Sequence, residues 1–228
     1  MHKRIIAVGS TIALCLATIA VLGAPNSFAR PLACAAGGAC RVGETGPGGG
    51  IVFYYNASGF NCGPTFSPTG SPASGLCHSL EVAPTGGNTT WANEFNGNQT
   101  NEVFGADGLV IGSGYLNSLD IVNQAGNDAG YSAAVFARGY FNGGRSDWYL
   151  PSLYELNELC KYAKGQKTGD PLTTCANTRR VKSEFVAGWY WSSTEYSYNS
   201  AWAQNFGGGA QGQYNKANPG YVRPVRAF

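Results

Sequence analysis

"LPSLYELNELCKYA", Leu150–Ala163, is the stretch on which the fold class turns. Ser152 followed three residues later by Glu155 is a capping box, in which each side chain satisfies a backbone N–H that the first helical turn leaves free. Behind it, Leu153, Leu156, Leu159, Cys160 and Ala163 recur at helical spacing and form one apolar face. The pattern predicts a helix, gives Glu155 a structural task and puts Glu158 on the wet face.

The sequence on either side has a different period. Upstream, "IVFYY" (Ile51–Tyr55) is a continuous run of β-formers, and Leu80–Ala83 reads as a second short strand ended by Pro84. Asn56–Gly75 reads as loop. Gly86–Gly108 is polar, with Trp91, Phe95 and Phe104 as isolated anchors. Two weaker helical patterns follow: Leu116, Leu119 and Val122, then Ala134, Val135 and Ala137 on one side. From Trp189 onward, short segments rich in Tyr, Trp and Phe are separated by Gly and Asn. The last is "YVRPVRAF", Tyr221–Phe228, whose end on Phe228 predicts a terminus tied into a sheet. Pro224 cannot donate to a ladder and needs an edge or an unbonded position. Strand, helices, then a cluster of strands is the order of an α+β fold, with small antiparallel sheets, two or three helices and long irregular Gly-rich loops.

The beginning of the chain reads as an export signal. Met1–Arg4 is basic, Ile5–Leu22 is mostly apolar, and Ser27-Phe28-Ala29 offers small residues to a signal peptidase. Residues 1–29 are therefore expected to be removed, leaving an exported chain, secreted or at the cell surface, with no stable membrane insertion. Residues 30–47, containing "RPLACAAGGACRVGETGP", read as a linker or N-terminal arm. Cysteine usage agrees with export. Cys15 leaves with the signal, and the even set Cys34, Cys40, Cys62, Cys77, Cys160 and Cys175 remains. Sequence leaves several pairings open. The simplest is local: Cys34 with Cys40, Cys62 with Cys77, and Cys160 with Cys175. Zinc is the rival use, but the spacing is wrong, and His78 is the one histidine outside the signal.

Charge is informative once mapped. Without Lys3 and Arg4 the chain holds 13 basic and 13 acidic residues. The basic ones are unevenly placed: Lys161, Lys164, Lys167, Arg179, Arg180 and Lys182 stand against Asp170 alone. Such a segment on an otherwise acidic protein is a candidate anion site, and a solvated helix end is the plainer reading. If the helix continues past Cys160, Lys161 and Lys164 are neighbours, and a Cys160–Cys175 bridge folds the later cations back toward them.

"GPGGGIVFYY", "DWYLPSLYELNELC", "YWSSTE", "AWAQNF" and "VRPVRAF" occur in this order. Together they resemble the bacterial Lcl C-terminal domain family, named for the end of a collagen-like adhesin, over about Val42–Phe228. The domain itself is taken as 48–228. The resemblance implies a C-type lectin-like, disulfide-stabilised fold, whose first and last strands pair and which binds through a long irregular loop region. It also implies a glycan ligand, since the named adhesin binds sulfated glycosaminoglycans. That adhesin trimerises through collagen repeats, and no Gly-X-Y repeat is present here.

The same resemblance sorts the aromatic residues. Trp189 and Trp191 share one strand face, with Tyr190 on the other. Trp191, Trp202 and Phe206 belong to motifs shared across the family and are expected in the core. Tyr196, Tyr198 and Tyr214 lie among Ser, Asn and Gly and are the candidates for stacking on a sugar. The lectin calcium signatures are absent, and Glu195 is the one nearby carboxylate, so no metal or cofactor is expected. Catalysis is not expected either: His78 neighbours a cysteine, no nucleophile elbow is present, and Glu155 has its capping task. The function expected is therefore non-enzymatic binding of a glycan or polyanionic polysaccharide, or of a cell-surface protein. Nucleic acid fits the charge but not export or any recognised reading module.

Overall fold

The run "IVFYY" opens strand β1 (Ile51–Asn61), which is longer than its apolar start because Phe60 and Asn61 pair with Cys77 and Leu76. The computed structural model describes residues 33–36, 38–63, 75–124, 126–127 and 132–228, with residues 95 and 96 as backbone only. The expected signal peptide, the side chain of Phe95 and residues 64–74 of the expected loop Asn56–Gly75 lie outside these residues.

Strand β1 turns back into β2 (Leu76–Val82), and β2 carries the last strand, β8 (Val225–Ala227), on its other edge, all antiparallel. The resemblance implied that first and last strands pair. Here β2 lies between them, because the disulfide-bridged β1–β2 hairpin occupies that edge. A second sheet has the order β3 (Gly87–Thr90), β7 (Pro219–Val222), β4 (Trp189–Ser197), β5 (Ser200–Asn205), β6 (Gln211–Asn215). It is mixed, since β4 runs parallel to β7 at Tyr190–Tyr221. "YVRPVRAF" is thus two strands: Arg223-Pro224 carries the chain from one sheet to the other. Pro224 sits at the break, where no N–H is needed, and its carbonyl accepts from Ala83 N at 2.9 Å.

Three helices complete the fold: α1 (Gly114–Asn123), α2 (Ala133–Arg138) and α3 (Leu153–Ala163). In α3 both halves of the capping box form, and all five expected apolar positions are buried. The α1 pattern gave the helix, and Leu119 and Val122 pack partly buried against the two cores. Tyr115, Ser118 and Ile121 are buried, while Leu116 is 39% exposed. Ser118 wins the inner position because its hydroxyl accepts from Leu150 N and donates to Gly114 O.

The two faces of β4 feed two cores. Tyr190 packs with Phe206, Leu159, Phe53 and Leu80. Trp191 packs with Trp91, Ile121, Ala137 and Val222. Burial on both sides is why "WYW" lacks polar alternation. Trp191 and Phe206 are core as expected. Trp202 is not: it is half-buried, edge-on to Tyr196 at 5.3 Å. Trp91 is fully buried, whereas Phe104 stands free in solvent at 101% exposure and anchors nothing.

The three disulfides pair locally, with Cα separations of 4.6 Å for Cys34–Cys40 and 5.9 Å for each of the other two. The last residues before β1 join the sheet through Gly43 N to Val52 O and Val52 N to Glu44 O. Gly48 N and Gly50 N both donate to the Glu81 carboxylate.

Candidate functional site

Helix α3 determines where the basic segment goes. Its Leu/Cys face is buried, so the residues just past Cys160 are carried inward with it. Lys161 is 2% exposed and pairs with Glu158 at 2.5 Å. It also donates to Asp170 O. Glu158, expected on the wet face, is fully buried, because residues 167–173 fold over it and Gly169 N donates to its second oxygen. Lys164 is 1% exposed, and its ammonium donates to Phe206 O at 3.2 Å and Gly207 O at 2.7 Å. Both lysines serve the interior. They are not available to an external anion, which removes them from the expected patch.

Beyond Lys164, Gly165 adopts φ +62°, a left-handed value that stops the helix and that glycine tolerates without strain. The returning loop is held at three points. Cys175 bridges back to Cys160. The Gln166 side chain exchanges hydrogen bonds with Ala176 N and O. Lys182 N donates to Ala163 O. Asn157 lies beneath, accepting from Cys175 N and donating to Pro171 O and Thr173 O.

On this loop, Lys167, Arg179 and Arg180 are exposed. Lys182 is half-buried, its ammonium 3.3 Å from the centre of the Tyr162 ring. Arg179 and Arg180 line an open hollow of about 490 Å³ together with Asn177, Thr178, Ala187 and Gly207. That volume falls within the range of small-ligand clefts. Among the described residues neither arginine pairs with a carboxylate. The nearest acids in sequence are Asp170, occupied by Thr173 and Leu172 N, and Glu184, which accepts from Ser183.

The three tyrosines divide. Tyr196 and Tyr198 are 49% and 54% exposed. Tyr214 is half-buried and stacked on Trp189, with ring centres 5.9 Å apart and planes at 10°. Its flat face is therefore already covered, and it drops out as a free stacking surface. Trp202, beside Tyr196, is an aromatic that the sequence reading had put in the core. Asn177, Thr178, Ala187 and Gly207 were also missed. No local pattern marks them, because the hollow forms only when the turn at Phe206–Gly207 meets the loop.

Four further carboxylates are held in interior bonds. Arg226 bonds Glu81 at 2.8 Å and Asp147 at 2.6 Å, all three with side chains fully buried or bonded in the interior. Because Gly48 N and Gly50 N also donate to Glu81, this ties the "GPGGG", "DWYLPS" and "VRPVRAF" motifs to one buried charge cluster. Glu195 pairs with buried Lys216 and accepts from Val103 N. Burial raises the Glu195 carboxyl and lowers the Lys216 ammonium from their ordinary values. Glu155 is fully buried and accepts from Ser152 N, Gly112 N and the Tyr149 hydroxyl. Desolvation outweighs these bonds and pushes it up to about 7. That value would suit a general acid, but Glu155 is 0% exposed and faces backbone.

A family model, that of the Lcl C-terminal domain, matches residues 78–226. The match begins within β2, so it excludes the "GPGGGIVFYY" piece that contributed to the resemblance. Among solved structures, a fimbrial protein from Bacteroides ovatus is similar at 17% identity and a TM-score of 0.46. The likeness covers 78% of this chain and 44% of that one, so this chain spans less than half of its length. A likeness of that size carries no argument about fold or function. No curated protein matches the chain.

Proposed function

The chain belongs to the Lcl C-terminal domain family, and on that premise we propose that it is an exported, non-enzymatic, adhesin-like binding module for polyanionic polysaccharide. The observation that carries this reading is the Arg179–Arg180 hollow. Two consecutive exposed arginines line it, on a chain segment held by a disulfide, with no carboxylate pairing them among the described residues. Guanidinium forks match sulfate and carboxylate oxygens. The disulfide and the Gln166 clip reduce the ordering that binding would otherwise require. We read the scaffold as C-type lectin-like. Its support is the α+β plan with two small sheets, three disulfides and a long irregular section between α3 and β4. Export rests on the sequence of residues 1–29. Among the described residues no helix is long and apolar enough to cross a membrane.

The test is retention of the oxidised protein on heparin across a salt series, beside an Arg179→Ala/Arg180→Ala variant. Retention by the wild type that falls steeply with salt and is lost in the variant is expected. A folded wild type that passes through at low salt sinks the reading. The rival is a protein-interaction module without a glycan ligand, favoured by fully exposed Phe104 and by Tyr196 and Tyr198. It predicts normal heparin behaviour in neither chain and a protein partner lost on Phe104→Ser.

A further inference from the structure

Phe104 is held out in solvent by a turn that is itself fixed. Ala106 N donates to Val103 O at 3.2 Å, closing a turn with Phe104 and Gly105 at its centre. Gly105 takes φ +92°, a left-handed value that suits glycine at the third position of a turn. Both ends are fastened to β4. Val103 N donates to both Glu195 oxygens at 3.0 Å, and Glu195 N donates to Ala106 O at 2.7 Å. Val103 and Ala106 are buried, and the ring between them is kept outside. Glu102 and Asp107 flank it, both exposed and neither in an ion pair among the described residues. Lys216, which donates to Asn101 O at 2.8 Å, is fully buried and paired with Glu195. A rigid, fully exposed aromatic residue has the form of a binding anchor, since little ordering is left to be lost when it is covered.

The Arg179–Arg180 hollow is the complement of this finger. The finger carries carboxylates without cations, and the hollow carries cations without carboxylates. Val181, Ala187 and Gly207 give the hollow an apolar part. A benzene-sized ring needs about 150 Å³, well within its volume. A guanidinium is also attracted to the face of such a ring. The two features lie at opposite ends of one hairpin. Ala187 and Gly207 stand just outside the pair Trp189–Asn205, where β4 begins and β5 ends. Glu195, which holds the finger, pairs with Ala201 at the other end. Six strand residues at about 3.3 Å each separate the two ends by roughly 20 Å.

We propose that this chain associates head to tail with a second copy of itself, the Phe104 finger of one copy entering the Arg179–Arg180 hollow of the next. Glu102 and Asp107 then meet the two guanidinium groups while the ring takes the apolar part of the hollow. The contact joins unlike surfaces, so each copy keeps one free finger or one free hollow and the assembly stays open. One finger in one hollow is a small interface, and the association is correspondingly weak. The inference does not rest on the polysaccharide reading, although a polyanion and the finger would compete for the same hollow.

The test is analytical ultracentrifugation of the oxidised protein at low salt, from about 10 μM to about 1 mM, a range that reaches weak contacts. The weight-average mass of the wild type should rise with concentration past that of a dimer and fall as salt is added. Phe104→Ser and Arg179→Ala/Arg180→Ala change exposed side chains, so both should fold, and each alone should stay monomeric. Mixed in equal amounts they should form dimers and nothing larger, because the first variant keeps only the hollow and the second only the finger. A wild type that is monomeric throughout, a Phe104→Ser variant that associates like the wild type, or a mixture that stays monomeric each overturns the proposal. A monomeric wild type retained on heparin overturns self-association alone. An associating wild type that passes through heparin sinks the polysaccharide reading alone and leaves the finger standing.

Discussion

Lys161 and Lys164 lie on one side of the Cys160–Cys175 loop, and Arg179 and Arg180 lie on the other. In sequence they form one basic segment. In the fold the lysines are buried, one on a carboxylate and one on two carbonyls, while the arginines face an open hollow. The lysines extend a helix whose apolar face is already committed to the core, so their long stems are drawn in and their ammonium groups must find oxygen there. The arginines lie on a loop with no apolar periodicity, held at three points but otherwise free. What a charge does here is decided by the element that carries it.

The sharpest way to break this comparison is to remove a lysine. Lys161→Met leaves buried Glu158 without its cation and with Gly169 N as its remaining donor. A loss of about 3–5 kcal/mol in chemical denaturation is expected, as for any severed buried pair. Lys164→Met orphans Phe206 O and Gly207 O and should cost less, about 1–3 kcal/mol. If either substitution left stability unchanged but weakened heparin retention, the lysines would be site residues after all.

A second contrast lies within α3. Glu155 and Glu158 are both buried, but Glu158 has a cation and Glu155 has only N–H and O–H donors. Glu155 titrates at about 7 in the fold against an ordinary 4.5. Below pH 4.5 both folded and unfolded chains hold the proton. Between 4.5 and 7 the unfolded chain releases it first, so stability falls as pH rises, by about 3 kcal/mol in all, and levels off above 7. Glu155→Gln should lack this slope, and the difference between the two denaturation series across pH 4–8 isolates it from Glu81 and Glu195, which burial also raises. Identical slopes in the two proteins would mean that Glu155 stays ionised on its three donors.

These contrasts also mark what could be read before the fold was known. The α3 capping box and its apolar face were legible, because both are set by residues within one helix. The three disulfides follow the simplest local pairing, 6 or 15 positions apart, which the sequence alone left open among several. The fate of Lys164 was not legible, because its acceptors lie 42 and 43 residues away. Phe104 and Trp91 are both lone aromatics in a polar stretch, and nothing local says that one is fully exposed and the other fully buried. Arg223 and Arg226 stand three residues apart in one motif. The chain crosses between sheets at Pro224, and so Arg226 meets two carboxylates while Arg223 meets carbonyls. A sheet crossover has no sequence period, and without it the two arginines cannot be told apart.

The smallest expected effect sharpens the comparison most. Arg179→Ala/Arg180→Ala should leave stability within about 0.5 kcal/mol of the wild type, as exposed substitutions away from caps and cores do. Neither side chain has a carboxylate partner among the described residues, and the loop is held by Cys175, Gln166 and the Lys182 backbone instead. A neutral denaturation curve with heparin retention abolished would separate binding from folding within one basic segment. A loss as large as that of Lys161→Met would mean that the arginines also hold the loop, and the division between an inward and an outward half would no longer stand.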